Sequence, residues 1–312
     1  MTDPWETLDH AKDTTLRLIE ESLRLGVESH WTDVRSIRAT EGRILLDARR
    51  VTAVAPGRSA DAFSMEAPAA VSPDLYTSII YRTDPPVDLA YLHPLQLLTL
   101  GIRGAKRTKI VNPAEVLALR GEKIEAMSLG TLCPSGAVSS RLEDLESFGR
   151  KMGRAVLKPL HEAQSKGVEL LDWRTRAGAL NARGRLKTLS HGFTQPVLLQ
   201  EYREEILDGE TRAWFLDGKL LAAVRKHPRS GEFRIDMDRG GTLGPAKLTT
   251  LEKRAIPRIG NHLRSLGIRL AAVDLIGGLV TDFNHTSPGL LTPMETIVGR
   301  NLAEPIIRSL AR

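Results

Sequence analysis

A single cysteine, Cys133, leaves this chain of 312 residues without an internal disulfide and without the ligands for any cysteine-based metal cluster. Aromatic residues make up only 4%, too few for the stacking platforms that hold single-stranded nucleic acid. Long blocks of consecutive basic residues are missing as well. The longest nearly apolar stretch, 270–280, is broken by Asp274 and is too short to span a bilayer. The opening MTDPWETLDH is acidic and has none of the apolar core of a signal peptide. These absences predict a cytoplasmic protein that engages neither membrane nor nucleic acid.

What is present is an ordinary globular balance, 41% hydrophobic and 26% charged, enough for roughly two or three domains. The net charge of +6 suits a small anionic ligand. Asp13 caps a helix with Leu16, Ile19 and Leu23 at helical spacing, and Gly26 ends it. A strand, LYTSIIYR, runs into the rigid turn TDPPVD, and the first unit closes near Pro113 with TKIVNP. Helical AEVLALRGEKIEAMSLG and RLEDLESFGRKMG follow, then strands AVLKPL and GVELLDW. After PVLLQEY comes the hairpin TRAWFLDGKLLAAVRKH, which turns at Asp217-Gly218, and then the helix EKRAIPRIGNHLRSLG.

The last hairpin, VDLIGGLVTDFNHTSPG at 273–289, carries the chemistry. A two-residue loop at Gly277-Gly278 sets Asp274 and Asp282 on opposite faces, whereas a three-residue loop, 277–279, makes them face each other with Asn284 alongside. Opposed carboxylates destabilise a sheet unless a cation lies between them. An oxygen-only donor set of this kind suits Mg²⁺, which takes one or two carboxylates and leaves room for phosphates. Two solvated acids on an exposed face are the plainer alternative. Lys158 ends the strand AVLK, and Lys123 sits in GEKIEAM; both are placed to meet phosphates. Gln200, Glu201 and Tyr202 end a buried strand, where backbone amides can read an adenine edge. Arg212, Arg225 and Arg234 can clamp carboxylates or phosphates, and Gly240-Gly241 permits close backbone approach.

DPPVDLAY, VNPAEVLALRGEK, VLKPL, LLQEY, DGETR, GEFR, GG and DLIGG…TDFNHTSP occur in this order. As an ordered set they resemble the ATP-grasp ligases, and among these the prokaryotic-type glutathione synthetase family, over almost the whole chain. The resemblance implies an α/β (α+β) ATP-grasp fold. Its parts would be an N-terminal parallel-sheet α/β domain (1–113), a central lid (114–195) and a C-terminal antiparallel-sheet catalytic part (196–312). It implies ATP and Mg²⁺ as cofactors, an acid and an amine as small-molecule substrates, an acyl phosphate between them, and a homo-oligomer. Carried over by position, Asp274, Asp282 and Asn284 become metal ligands. Lys123, Lys158, Gln200, Glu201, Tyr202, Asp208, Gly240 and Gly241 hold the nucleotide, and Arg212, Arg225 and Arg234 serve phosphate or substrate.

The chain departs from the family pattern in four places. It starts at MTDP where the family has a strand before DP. HEAQSKG at 161–167 replaces a glycine-rich lid loop and puts Glu162 near phosphates. Asp282 replaces a longer metal-bridging glutamate. RIDMDRGG and SPGLLTPME alter the substrate loops. The expectation is weak activity on glutathione precursors, with a ligase for another acid and amine, or a nucleotide-binding protein without turnover, as alternatives.

Overall fold

The computed structural model describes residues 1–55, 59–162 and 165–312. In the C-terminal part, strands Glu210–Leu216, Lys219–His227, Leu270–Ile276 and Leu279–Asn284 join Thr242–Pro245 in one antiparallel sheet of five. The strands alternate between two buried faces. Ala213, Phe215, Val273 and Phe283 pack on Ala255, Ile259 and Leu263 of helix Thr250–Ser265, which has a Thr249–Glu252 capping box at its start. Trp214, Val224 and Ala272 pack on Leu291, Met294 and Ile306 of helices Leu291–Val298 and Ala303–Leu310. Each large side chain buried here contributes about 1.5–3 kcal/mol.

The central part, the expected lid, is a four-stranded antiparallel sheet in the order Glu169–Asp172, Arg154–Pro159, Val197–Glu201, Gly136–Ser139. Helices Leu142–Met152 and Arg176–Leu189 cover it through Leu145, Ala182 and Leu186. Gly149 is needed there, since a Cβ would lie 2.4 Å from the Trp173 ring.

The N-terminal part holds the expected parallel pairing and adds an antiparallel sheet to it. Its long strand, Arg43–Val54, pairs antiparallel with His30–Thr32, Arg38–Thr40, Phe63–Met65 and Ala69–Val71. Among the described residues, parallel pairing joins Ser78–Ile80 to Lys109–Val111 and, through single bridges, Thr2 to Asp33 and Arg82. Glu41 and Gly42 both have positive φ, 52° and 75°, and turn the chain back at once from Arg38–Thr40 into the long strand.

Packing crosses the three-part division of the chain. Helices Ala114–Leu119 and Glu122–Met127 put Val116 and Ala126 into the C-terminal core, and Val197–Glu201 pairs within the lid sheet. Helix Thr14–Arg24 puts Leu18 into the C-terminal core, with Arg17 bonded to Glu295 at 2.7 Å. No helix among the described residues is long and apolar enough to cross a membrane.

Candidate functional site

The loop of the last hairpin has two residues, Gly277 and Gly278, both at positive φ (58° and 84°), and Ile276 pairs with Leu279. Plain counting from that turn sets Asp274 opposite Thr281. Instead Leu275 pairs with Val280 and Asp274 with Asp282, so Thr281 is the extra residue of a β-bulge. The expected three-residue loop is therefore wrong, while the facing of the two carboxylates holds. Asn284 follows opposite Ala272.

A second bulge decides the neighbouring hairpin. Asp217-Gly218 pairs Leu216 with Lys219 and Phe215 with Leu220, and then Trp214 pairs with Ala222, leaving Leu221 as the extra residue. Counting without a bulge puts Arg225 opposite Glu210. The bulge puts Lys226 there and Arg225 opposite Thr211, on the other face. The placement of Arg225 with the other two arginines is thereby corrected: its guanidinium lies 3.2 Å from Glu252 of helix Thr250–Ser265, behind the sheet.

The front face holds a tight set of charges. Arg212 donates to both oxygens of Asp274, Nε to Oδ1 at 2.9 Å and Nη2 to Oδ2 at 2.7 Å. Lys226 lies 3.1 Å from the same carboxylate and is paired with Glu210, which also accepts from Thr281 Oγ1 at 3.1 Å. Asn284 Nδ2 donates to Asp274 Oδ2 at 3.2 Å. Burial pushes the Asp274 carboxyl up, but the charges of Arg212 and Lys226 and their hydrogen bonds outweigh it and hold the group well below the usual range. At Glu210 burial prevails over Lys226, and its carboxyl titrates higher than usual. Glu210 and Lys226 were missed in the sequence. The alternation of Glu210 with Arg212 was a usable signal, but the bulge hid Lys226.

Asp282 differs from its partner, because its Oδ1 is buried with no hydrogen-bond partner among the described residues. An orphaned carboxylate oxygen is costly, and a cation is the partner it lacks. With Asp274 opposite and Asn284 two residues along, the donor set of two carboxylates and a carboxamide fits Mg²⁺. Among the described residues no three His, Cys, Asp or Glu side chains are grouped to hold a metal unaided.

Lysines close the site from the lid side. Lys158 Nζ donates to Gln200 Oε1 at 2.9 Å and, across to the C-terminal sheet, to the Thr281 carbonyl at 3.3 Å. Burial depresses its ammonium below the ordinary lysine value; Asp282 opposes that shift and Lys123 adds to it. Lys123 itself donates to the Glu162 carbonyl of the lid loop. The Glu162 carboxylate lies 3.7 Å from His161. Ala163 and Gln164, also part of the altered lid loop, lie outside the described residues. Gln200 Nε2 contacts Cys133 Sγ at 3.6 Å, and burial raises that thiol.

Next to these, Tyr202 and Asp208 line a cleft of about 580 Å³, with the Arg154 guanidinium 4.6 Å from the Tyr202 ring centre. Glu201 pairs with Arg203 at 3.0 Å. Arg234 stands apart from Arg212 as well. It lines a cavity of about 220 Å³ with Ser165, Arg229, Glu232, Asp236 and Arg239, and donates to the Val168 carbonyl at 3.4 Å. Gly241 closes the loop beside this cavity: its N–H donates to the Asp236 carbonyl at 2.8 Å, and a Cβ would lie 2.7 Å from that oxygen. Gly240, at φ 93°, packs near Arg229.

Comparison with known proteins gives this geometry its context. Glutathione synthetase of Prochlorococcus marinus is 28% identical over 309 residues, covering 99% of this chain and 96% of that protein. The enzyme of that name from Xylella fastidiosa is 28% identical over 302 residues, covering 96% and 94%. The ATP-grasp ligase PsnB, solved with a minimal precursor, superposes with a TM-score of 0.62 at 16% identity, over 99% of this chain and 96% of PsnB. A RimK domain ATP-grasp protein from Sphaerobacter thermophilus gives the same score at 14% identity over 98% of each chain, so the ATP-grasp fold is shared. Family models for the prokaryotic glutathione synthetase N-terminal domain and ATP-grasp domain match residues 1–118 and 122–299. The chain belongs to the prokaryotic glutathione synthetase family.

Proposed function

We propose that the protein is an ATP- and Mg²⁺-dependent carboxylate-amine ligase that forms a peptide bond through an acyl phosphate. The observation that carries this is the meeting of Lys158, from the lid, with the strand that bears the orphaned Asp282 oxygen. Asp282 and Asn284 would hold Mg²⁺, with Asp274 joining as Arg212 and Lys226 turn to phosphate. Mg²⁺, when bound, screens the phosphate charge and polarises the bond to the leaving group.

Phosphoryl transfer requires positioning and charge neutralisation rather than a protein nucleophile. In this reading Lys123 and Lys158 fix the ATP phosphates, and Gln200, Glu201, Tyr202 and Asp208 flank the adenosine. Arg212 and Lys226 face the group in transfer. The substrate carboxylate oxygen attacks the γ-phosphorus and ADP leaves. The amine then attacks the acyl carbon, phosphate leaves, and the nitrogen gives up a proton. Arg234, with Gly240 and Gly241 shaping its loop, meets the acid substrate. The loop RIDMDRGG beside this cavity departs from the family pattern, so acids other than the family's own belong in the test. A cytoplasmic site of action, where ATP is abundant, fits this chemistry.

The test is a scan of amino acids and γ-glutamyl dipeptides for phosphate release with Mg²⁺ and ATP. Release stimulated by one acid–amine pair, with a peptide product of matching mass, is expected. ATP affinity without stimulated release by any pair overturns the catalytic reading.

A further inference from the structure

Helix Glu122–Met127 has six residues, too few to hold itself in place, so its anchors decide where Lys123 points. Ala126 enters the C-terminal core, and Glu125 accepts from His262 Nε2 at 2.7 Å. The third anchor is at the first residue. One oxygen of Glu122 accepts three hydrogen bonds, from His285 N at 2.8 Å, Thr286 N at 2.9 Å and Thr286 Oγ1 at 2.8 Å. These donors come directly after Asn284, where the strand bearing Asp282 and Asn284 ends.

We propose that Glu122 is a positioning residue that locks Lys123 to the strand carrying Asp282 and Asn284, so that lysine and cation meet the same nucleotide in register. This rests on the nucleotide-binding reading above. The three-donor latch spans 163 positions of sequence and joins two elements that sit in different parts of the chain. Lys123 is the next residue, and its ammonium reaches over to the Glu162 carbonyl of the lid loop. A carboxylate placed only to stabilise the helix would serve as well on the helix's own N–H groups. Here it is spent on the backbone beside a metal ligand. Its burial raises the carboxyl above the usual value, the Glu122 side chain being held by those three donors and by the nearby His285 ring.

The experiment measures the affinity of Mg²⁺ with a non-hydrolysable ATP analogue by calorimetry, for wild type, Glu122→Ala, Glu122→Gln, Lys123→Met and the double variant Glu122→Ala/Lys123→Met. Loss of the latch lets Lys123 drift, and misplacement on the order of 1 Å can cost ~10²-fold, so Glu122→Ala is expected to weaken binding by about 10- to 100-fold. Glu122→Gln, which keeps an acceptor oxygen, should stay within about threefold of wild type. The double variant should be no weaker than Lys123→Met, because both changes remove one interaction. Wild-type affinity in Glu122→Ala, or losses that add in the double variant, overturns the proposal. If Glu122→Ala unfolds, Thr286→Val removes one of the three donors alone and must still weaken the nucleotide more than it lowers Tm would require; equal affinity there also overturns it. Failure of the wild type to bind the analogue refutes the nucleotide reading itself and is distinct from either result.

Discussion

Lys226 and Arg225 are adjacent, yet one strand turns them to opposite faces: Lys226 to Glu210 and Asp274, Arg225 to Glu252 behind the sheet. Their substitutions should therefore fail differently. Lys226→Met is expected to lower phosphate release at saturating substrates by ~10²-fold, the scale on which a single donor to developing charge acts. Arg225→Met should leave that rate within about threefold and instead cost about 1–3 kcal/mol of stability, because the buried Glu252 carboxylate loses its only cation among the described residues while keeping its bonds from Thr211 and Thr249. Calorimetric Tm together with single-turnover rates separates the two. Glu252 gives a pH signature at the same place. Burial works to raise its carboxyl, but hydrogen bonds from Thr211 and the Thr249 N–H and the Arg225 charge bring it below the ordinary glutamate value of 4.5. Its folded-state pKa is depressed, so its stabilisation is full above about pH 4.5 and is lost as pH falls through the lower folded value. Glu252→Gln should lower Tm at neutral pH, and the gap to wild type should close in acid. A constant gap across that range contradicts the linkage.

Two bulges, Thr281 and Leu221, aim the site's side chains. Deleting Thr281 would leave Asp282 directly after Val280 and still opposite Asp274, so the donors are removed instead by the double substitution Asp282→Ala/Asn284→Ala. Mg²⁺-dependent nucleotide affinity should then fall by more than about 10²-fold, the site losing two of its three oxygen donors, while ATP affinity without Mg²⁺ changes far less. Retained Mg²⁺ dependence in that double variant would remove these residues from the metal. Elements with strong local signals were legible in the sequence: the helix after Asp13, the Asp217-Gly218 hairpin, and the helix over 250–265. The helix Arg176–Leu189 was not, because only Ala182 and Leu186 are buried along it, and its apolar pattern is correspondingly faint. The antiparallel sheet around Arg43–Val54 was also missed, since a strand's partners and their direction are set by the distant segments that meet it.

For the molecule as a whole, the surroundings of Asp282 and those of Arg234 have different characters. Lysines and oxygen donors converge around Asp282. The cavity at Arg234 is lined by three arginines and two acids, and Ser165 of the lid loop closes on it by donating to the Ile235 carbonyl at 3.3 Å. The protein should therefore bind ATP with Mg²⁺ but turn over γ-glutamylcysteine and glycine slowly, ~10²–10³-fold below a matched substrate pair. Steady-state kinetics of the purified chain check this. Efficient glutathione formation would show that the altered loops do not redirect the substrate.

Residue types at fixed spacing determined the family, the fold class and the donor chemistry, because the ordered set from DPPVDLAY to TDFNHTSP can be read along the chain. Facing of Asp274 and Asp282 was legible too, from the cost of opposing two like charges, although by the wrong loop. Tertiary structure alone decided which cation stands beside them. A β-bulge shifts every later side chain by one position, and nothing local in VRKH distinguishes Arg225 from Lys226. The choice was made by packing: Thr211, Arg225 and Glu252 meet behind the sheet, and that leaves Lys226 in front. The latch from Glu122 to residues 285 and 286 lay equally beyond the sequence, because no local pattern connects positions so far apart until the core brings helix and strand together.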